Sequence, residues 1–162
     1  MSSFGRVVVA MASADGLSYG VRAMEVLREA GAEIHLVMTR ASETALGPDR
    51  ERVRSLSDHV YAEANQAAPI SSGSFLTRGM VVAPCDGAGL AAITLGLATN
   101  LVFRAADVTL KERRPLALGL VAGGPAAIEE AHLARAAEVP GLRVVRLEGP
   151  PDAAVEKLLE RL

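Results

Sequence analysis

The stretch Arg6–Ala30, RVVVAMASADGLSYGVRAMEVLREA, places a predicted strand, a turn and a helix in immediate succession. Its first part, Arg6–Met11, is nearly continuously apolar, which is typical of a strand buried on both faces of a parallel sheet. A Ser-Ala-Asp-Gly turn follows, and Tyr19–Ala30 then carries apolar residues close to helical spacing, with Gly31 as a stop signal. The stretch therefore predicts the first βα unit of an α/β protein.

The same alternation of short apolar runs and longer helical patterns continues along the chain. Further strands are predicted at Glu33–Met38, Gly79–Pro84, Pro115–Val121 and Leu142–Leu147, and further helices at Ala88–Leu97, Pro125–Glu138 and Asp152–Leu162. This alternation predicts a single doubly wound, mostly parallel sheet with helices on both faces and right-handed crossovers. Because the 162 residues contain no repeat and no long linker, we expect one domain spanning residues 1–162.

Composition and charge exclude several classes of partner. Seventeen basic and nineteen acidic residues give a net charge of −2, and there is no Trp, so we predict neither a nucleic-acid nor an anionic-membrane surface. The single cysteine, Cys85, excludes a disulfide framework and a multi-cysteine metal site. The N-terminal apolar run is too short to span a bilayer and carries no signal-peptide pattern, so we expect a cytoplasmic protein. An apolar, aromatic-poor composition also favours self-association.

The predicted fold indicates where a ligand binds. Doubly wound sheets hold their ligands beyond the carboxyl ends of the strands, near the point where the strand order reverses. Four segments are expected to meet there: Ala12–Gly16, Thr39–Arg40, Pro84–Gly89 and the residues after Val121. The first turn either presents backbone N–H groups to an anion or a ring edge, or is an ordinary βα turn. Thr39 likewise either helps to hold an anion or is an ordinary helix N-cap.

Two other patterns near the third predicted strand leave alternatives open. Gly87–Ala92 matches the G-x-G-x-x-A dinucleotide fingerprint, with Asp107 about 20 residues further on. The fingerprint normally follows the first strand, however, and Asp107 is not at a strand end, so we disfavour a nicotinamide site. Cys85 is either a nucleophile at a helix start or a small residue against a ligand. The sequence places no histidine beside it, since His35, His59 and His132 are predicted on a strand, a connection and a helix.

The densest polar cluster lies in Arg104–Pro115, just before a buried strand. Arg104 and Lys111 are seven residues apart, which places them on one face of a helix about two turns from each other. That face is a candidate for binding a phosphate or a carboxylate, whereas a solvated helix face explains the charges that follow.

Taken together, these segments resemble the flavin prenyltransferase family, formerly called aromatic-acid decarboxylase small subunits. This family belongs to the wider group of homo-oligomeric flavin-containing Cys decarboxylases. The resemblance covers roughly Val7 to Leu116. Its carriers are Ala14-Asp15-Gly16, Tyr19-Gly20, Ala68-Pro69, Ser72-Gly73-Ser74-Phe75, Met80–Cys85, Asn100-Leu101 and the run Arg104–Leu116.

The resemblance implies an FMN cofactor and a set of residues around it. Thr39 would hold the FMN phosphate, and Arg104 would contact the polar edge of the flavin ring. The residues that would line the flavin are Ala14, Asp15, Ser72, Gly73, Ser74, Cys85, Asp86 and Gly87.

The resemblance also implies a reaction and an assembly. Members of the family transfer the dimethylallyl group of dimethylallyl phosphate to reduced FMN, and the prenylated flavin serves a partner decarboxylase. Lys111 would face the allyl phosphate, Asp49 stands where the family usually has Glu, and Asp15 stands where it has Ser beside flavin N5. These three are the candidate catalytic residues. A trimer or a dodecamer of identical chains is the implied assembly.

Departures from the family pattern keep two further functions open. Asp86 replaces a usual Ser, Gln66 replaces an aromatic residue, and Leu120–Pro125 stands in place of an R-E-x-P motif. The sequence therefore favours a divergent flavin prenyltransferase, with two alternatives. One is an FMN-binding module or complex subunit without transferase activity, and the other is a flavin-dependent decarboxylase of the wider group.

Overall fold

The computed structural model describes residues 4–162, so residues 1–3, which begin the predicted domain, lie outside the described residues. The strands are β1 Gly5–Ala12, β2 Ala32–Met38, β3 His59–Ala62, β4 Gly79–Cys85, β5 Leu116–Leu120 and β6 Leu142–Arg146. The helices are α1 Leu17–Glu29, α2 Arg40–Leu46, α3 Arg50–Ser55, α4 Gly87–Leu95, α5 Leu101–Lys111, α6 Ala126–Ala137 and α7 Pro151–Leu159. Most predicted boundaries agree with these bounds to within two residues.

All six strands form one parallel sheet in the order β3-β2-β1-β4-β5-β6. The chain builds outward from β1 to one edge and then returns to place β4 against the other side of β1. The reversal of strand order therefore lies between β1 and β4. The predicted doubly wound parallel sheet with helices on both faces is confirmed.

The edge strand β3 was not expected from the sequence, which placed His59 in a connection. In the structure His59 begins β3 and pairs with His35 of β2. Three of the four residues of β3 are exposed, so the segment lacks the apolar run that marks the buried strands. A strand of only four residues at the edge of a sheet is too short to show a periodic pattern, which explains the error.

Two apolar clusters, one on each face of the sheet, form the core. On one face, Met24 and Leu27 of α1 and Leu158 of α7 pack against alternate residues of the strands. On the other face, Leu90 of α4 and Leu101 of α5 pack against the remaining strand residues and form the second cluster. Because both faces are covered, β4 is buried throughout and β1 is buried from Val7 onward, as the apolar runs in their sequences require.

The packing of α1 against β4 fixes the position of the first βα turn. A Cβ at Gly20 would collide with the backbone oxygen of Ala83, so a glycine is needed where the helix meets the strand. Gly16 precedes α1 with φ +77°, a left-handed conformation that favours glycine, and a Cβ there would lie 2.6 Å from Val121. The turn is thereby held against the carboxyl ends of β4 and β5. Among residues 4–162, no helix is long and apolar enough to cross a membrane.

Candidate functional site

A crevice of about 420 Å³ opens at the carboxyl ends of β1, β4 and β5, between α4 and α6. It is lined by Asp15, Asp86, Gly87, Ala88, Ala91, Val121, Ala122, Gly123, Gly124, Pro125, Ile128, Glu129 and His132. Three of the four segments predicted to converge are therefore brought together at the reversal point of the sheet. The volume is within the usual range for small-molecule sites, so this crevice is the candidate functional site.

Asp86 links the crevice to the start of α4. Its Oδ1 accepts a hydrogen bond from the backbone N–H of Gly89 at 2.9 Å, so it is the N-cap of this helix. Gly89 has to be small, because a Cβ there would lie 2.6 Å from Cys85 Sγ. The carboxylate is thus held by the fold at the edge of the crevice.

Asp15 lies in the exposed first turn together with Ala14. The turn is shaped by Ser13, whose hydroxyl accepts from the Asp15 N–H at 3.1 Å. The Asp15 carboxylate has no hydrogen-bond partner among residues 4–162 and is free to meet a ligand in the crevice.

Thr39, the fourth predicted segment, lies beside this turn without lining the crevice. Its backbone N–H donates to Met11 O at 3.0 Å, at the end of β1. Its side chain accepts from Ser42 N–H and caps α2, as the ordinary interpretation of this residue predicted. Ser42 Oγ in turn donates to the carbonyl oxygens of Met11 and Ser13, each at 3.0 Å. The ends of β1 and β2 are therefore tied together at one edge.

Glu129 and His132 also line the crevice, although no sequence motif marked them. Both lie on α6, near the start of the helix that follows β5. Glu129 is almost fully buried and accepts from Arg146 Nη1 at 2.7 Å, while His132 Nδ1 lies 3.4 Å from Thr94 Oγ1. Their position one and two turns after the expected convergence point was the signal that could have identified them.

Cys85 is fully buried at the end of β4. Burial raises the pKa of its thiol, and the neighbouring Asp86 carboxylate raises this pKa further. A thiol in this environment stays protonated at neutral pH, which argues against the nucleophile interpretation. Its carbonyl oxygen accepts from Val121 N–H at 2.8 Å and helps to shape the crevice wall.

The two cations predicted on one helix lie at opposite ends of α5. The helix begins beyond β3, where Leu101 N–H donates to Glu63 O, and ends just before β5. Arg104 is therefore near the carboxyl edge, where it lies 3.8 Å from Asp107. Lys111 is exposed at the amino edge, about 10 Å further along the helix.

The loop Ser72–Ser74 also lies at the amino edge of the sheet. Arg114, just before β5, donates to the carbonyl oxygens of Gly73 at 2.7 Å and Phe75 at 3.0 Å. A Cβ at Gly73 would collide with Glu112, which shows how closely the loop packs on the end of α5. Within one chain, this loop and Lys111 are thus separated from the crevice by the length of the sheet.

Asp49 lies in a third place, a cavity of about 500 Å³ on the α1 side of the sheet. This cavity is lined by α1, α2, α3 and the start of α7, and its lining includes Arg22 and Arg52. The structure therefore does not bring Asp49 to Asp15 within one chain. We assign the functional site to the smaller crevice because it lies at the reversal point of the sheet.

The crevice is rich in carboxylates. Asp15, Asp86 and Glu129 line it, and none of its lining residues within the described range 4–162 is Lys or Arg. Arg146 neutralises Glu129 from behind. A crevice with this charge offers acceptors to N–H groups of a ligand and does not by itself attract a phosphate.

The sequence also matches a known family. A family model described as flavoprotein matches residues 1–136. The chain belongs to the flavoprotein family. It is 47% identical over 119 residues to the flavin prenyltransferase UbiX of Neisseria meningitidis serogroup B, which covers 70% of this chain and 62% of that relative. This flavoprotein thus spans about three fifths of the length of the curated relatives it matches.

Solved structures extend the likeness to nearly the whole flavoprotein. A dodecameric FMN-dependent UbiX-like decarboxylase from Escherichia coli O157:H7 superposes with a TM-score of 0.88 at 34% identity, covering 96% of this chain and 93% of that one. AnUbiX (PadA1), in complex with FMN and dimethylallyl pyrophosphate, gives a TM-score of 0.83 at 35% identity over 96% of this chain and 90% of that one. The resemblance predicted from the motifs is confirmed.

Proposed function

We propose that this flavoprotein binds FMN at the crevice and is a divergent flavin prenyltransferase that transfers a dimethylallyl group to reduced FMN. The observation that carries the proposal is the convergence of Asp15 and Asp86–Gly87 in one crevice at the β1–β4 reversal. These segments belong to the part of the chain that resembles the curated flavin prenyltransferases. A solved relative with the same fold holds FMN and dimethylallyl pyrophosphate, which supports the same ligand class here.

The flavin ring would lie against the Ala14–Asp15 turn and Asp86–Gly87, where acceptor groups meet its N–H groups. The FMN phosphate would lie toward Thr39, which is tied to the same edge through Ser42. Arg104, in the first turn of α5, is the candidate for the polar edge of the ring. FMN, rather than a nicotinamide nucleotide, is the expected cofactor.

A second copy of the chain would complete the site. Ser72–Ser74 and Lys111 lie at the amino edge, so one chain cannot bring them to its own crevice. In a homo-oligomer, the amino edge of one copy can face the carboxyl edge of another. The dodecameric relative supports such an assembly, as a trimer or as a dodecamer. We propose the cytoplasm as its location and a decarboxylase as the recipient of its product.

The residues would divide the chemistry between them. In the transfer, the allylic C–O bond breaks, a bond from carbon to flavin N5 forms and phosphate leaves. Lys111 would stabilise the departing phosphate, since a cation there lowers the free energy of a transition state in which negative charge builds up on the phosphate. Asp15 would accept the proton released at the reacting nitrogen. Asp49 would assist only from another copy, because its cavity is separate from the crevice.

Mass measurement of the flavin tests the proposal directly. Protein loaded with FMN, reduced and incubated anaerobically with dimethylallyl phosphate should release flavin heavier by one prenyl group. Lys111→Ala should bind FMN as the parent does but should lose most of the mass gain. Lys157→Ala, which removes an exposed lysine of α7 on the opposite face of the sheet from α5, is the matched control. An unchanged flavin mass with the parent protein would overturn the proposal.

The charge of the crevice favours a second candidate, an FMN-binding module without transferase activity. Three carboxylates and no lining Lys or Arg among the described residues give an anionic donor no direct attraction within one chain. If the protein is such a module, FMN should still raise the melting temperature of the protein. Dimethylallyl phosphate then has no effect on the flavin or on the melting temperature, in the parent or in Lys111→Ala.

A further inference from the structure

Three side chains with metal-binding groups converge at the amino end of β2 and of the edge strand β3, away from the crevice of the same chain. His35 of β2 pairs directly with His59 of β3, and Glu33 precedes His35 by two residues. Residues two apart on a strand point to the same face, so the three side chains lie together. The function proposed above uses none of them.

The ligand atoms of this Glu33–His35–His59 cluster are already close to the spacing of a metal site. Glu33 Oε1 lies 2.9 Å from His35 Nε2 and 3.7 Å from His59 Nε2, and all three atoms lie within 4.8 Å of one another. Bonds of roughly 2.0–2.1 Å to a tetrahedral zinc ion imply about 3.3 Å between neighbouring ligand atoms. The two distances from Glu33 lie on either side of this value.

His35 is held in the orientation that a metal ligand requires. Its side chain is almost fully buried, and its ring packs against Tyr61 and the edge of Phe75. Its Nδ1 lies 2.9 Å from the Tyr61 hydroxyl, which leaves Nε2 directed at Glu33. A hydrogen bond to the second ring nitrogen is the arrangement that fixes histidine ligands in metal sites.

His59 supplies the adjustable ligand. Its ring stacks on His35 with centroids 4.6 Å apart and planes 15° from parallel, so it must tilt for both nitrogens to point at one ion. The His59 side chain is 53% exposed, so the surrounding protein leaves room for this rotation. An open cleft that Glu33 and His59 line gives an ion and its water ligands access from solvent, and the one cation among its described lining residues, Arg28, is paired with Asp58.

Arg6 competes for the same carboxylate. Its Nε lies 3.3 Å from Glu33 Oε1, and its guanidinium also lies over the Phe75 ring. Arg6 is partly exposed, so an arriving cation can displace it from Glu33. The competition has a measurable consequence, because removing the Arg6 charge should strengthen binding of a cation.

We propose that Glu33, His35 and His59 form a binding site for a divalent transition-metal ion such as Zn²⁺. Two imidazoles and one carboxylate suit Zn²⁺ and its first-row neighbours, whereas Mg²⁺ and Ca²⁺ prefer all-oxygen sites. Water would complete the coordination. Since its ligands come from both β2 and β3, the ion would fasten the edge strand to the sheet.

The test is a Zn²⁺ titration of the tag-free full chain, with Co²⁺ absorption as a probe of coordination. We expect one equivalent to bind saturably and to raise the melting temperature. His59→Ala should weaken binding at least tenfold. Tyr61→Phe, which removes the partner of His35 Nδ1, should weaken it by roughly 10- to 100-fold. Arg6→Gln should tighten it.

His132→Ala is the matched control, because it removes the remaining histidine, which lies in the crevice. Binding by this variant should equal that of the parent. The proposal is overturned if the parent shows no saturable binding at ~100 µM Zn²⁺, a concentration well above the dissociation constants of structural zinc sites. It is overturned equally if His59→Ala binds as the parent does, or if His132→Ala alone loses binding.

Discussion

At the scale of single residues, Asp86 has a structural function that can be separated from its proposed functional one. Its side chain caps α4 through Gly89 N–H, and its charge faces the crevice. Asp86→Ala should lower the free energy of unfolding by about 0.5–2 kcal/mol, because the cap is lost. Asp86→Asn keeps an acceptor oxygen for the cap, so its free energy of unfolding should fall much less. Urea unfolding of the three proteins measures this difference.

The same pair of variants separates the two functions in FMN binding. Asp86→Asn removes the charge without removing the cap, so a change in FMN affinity in this variant reports on the crevice alone. Equal losses of stability in the Asn and Ala variants would contradict the capping function.

The burial of Cys85 leads to a second prediction at this scale. Because burial and Asp86 raise the pKa of the thiol, its reactive thiolate form should be scarce at neutral pH. The folded protein should therefore resist iodoacetamide at pH 7–8, a range close to the pKa of roughly 8.5 of a free cysteine. Full labelling should follow unfolding in urea. Rapid labelling of the folded protein would contradict the buried environment.

The residues that line the crevice differ in how well the sequence predicts their position. Asp86 directly follows the apolar strand β4, and Asp15 lies in the turn after β1. In parallel sheets such positions share an edge. Glu129 and His132 reach the same crevice from within α6, and their side-chain direction depends on how that helix packs on the sheet. Their position after β5 indicates that they lie near the crevice, but sequence spacing does not determine that packing, so it does not show that their side chains line the crevice.

At the scale of elements, burial decided what could be predicted. The buried strands β1, β2, β4 and β5 each contain an apolar run, and their ends were predicted to within two residues. β3 has one neighbour and an exposed surface, and its four residues HVYA carry no comparable signal. Because β3 was not predicted, the pairing of His35 with His59, which depends on this strand, could not be predicted from the sequence either.

The contact between α1 and β4 gives a prediction for this scale. A methyl group at Gly20 would meet the backbone of Ala83, which cannot move without disturbing the sheet. Gly20→Ala should therefore lower the free energy of unfolding by ~1–3 kcal/mol, although alanine favours a helix. Ser18→Ala, at an exposed position of the same helix, is the control and should change stability by less than ~0.5 kcal/mol. Urea denaturation compares the two variants.

A gain of stability in Gly20→Ala would show that helix propensity outweighs the close approach. The spacing between α1 and β4 would then be larger than the contact with Ala83 implies.

At the scale of the whole molecule, the fold class could be predicted but the strand order could not. Alternating strands and helices indicate a parallel doubly wound sheet, yet the same alternation is compatible with more than one order of strands. The order β3-β2-β1-β4-β5-β6 depends on where the chain reverses, which is set by the packing of α1 and α4 on opposite faces. The resemblance to a family, by contrast, was carried by local motifs and needed no topology.

The separation of Asp15 and Lys111 at opposite edges of the sheet makes the protein suitable for a genetic complementation test. If each site takes Asp15 from one copy and Lys111 from another, two inactive variants can rescue each other. Asp15→Ala and Lys111→Ala, co-expressed in equal amounts, should restore about one quarter of the sites, since each site draws its two residues independently from a random mixture. Replacing either partner by the double variant should restore none. Absence of rescue in the mixture would place both residues in the same copy.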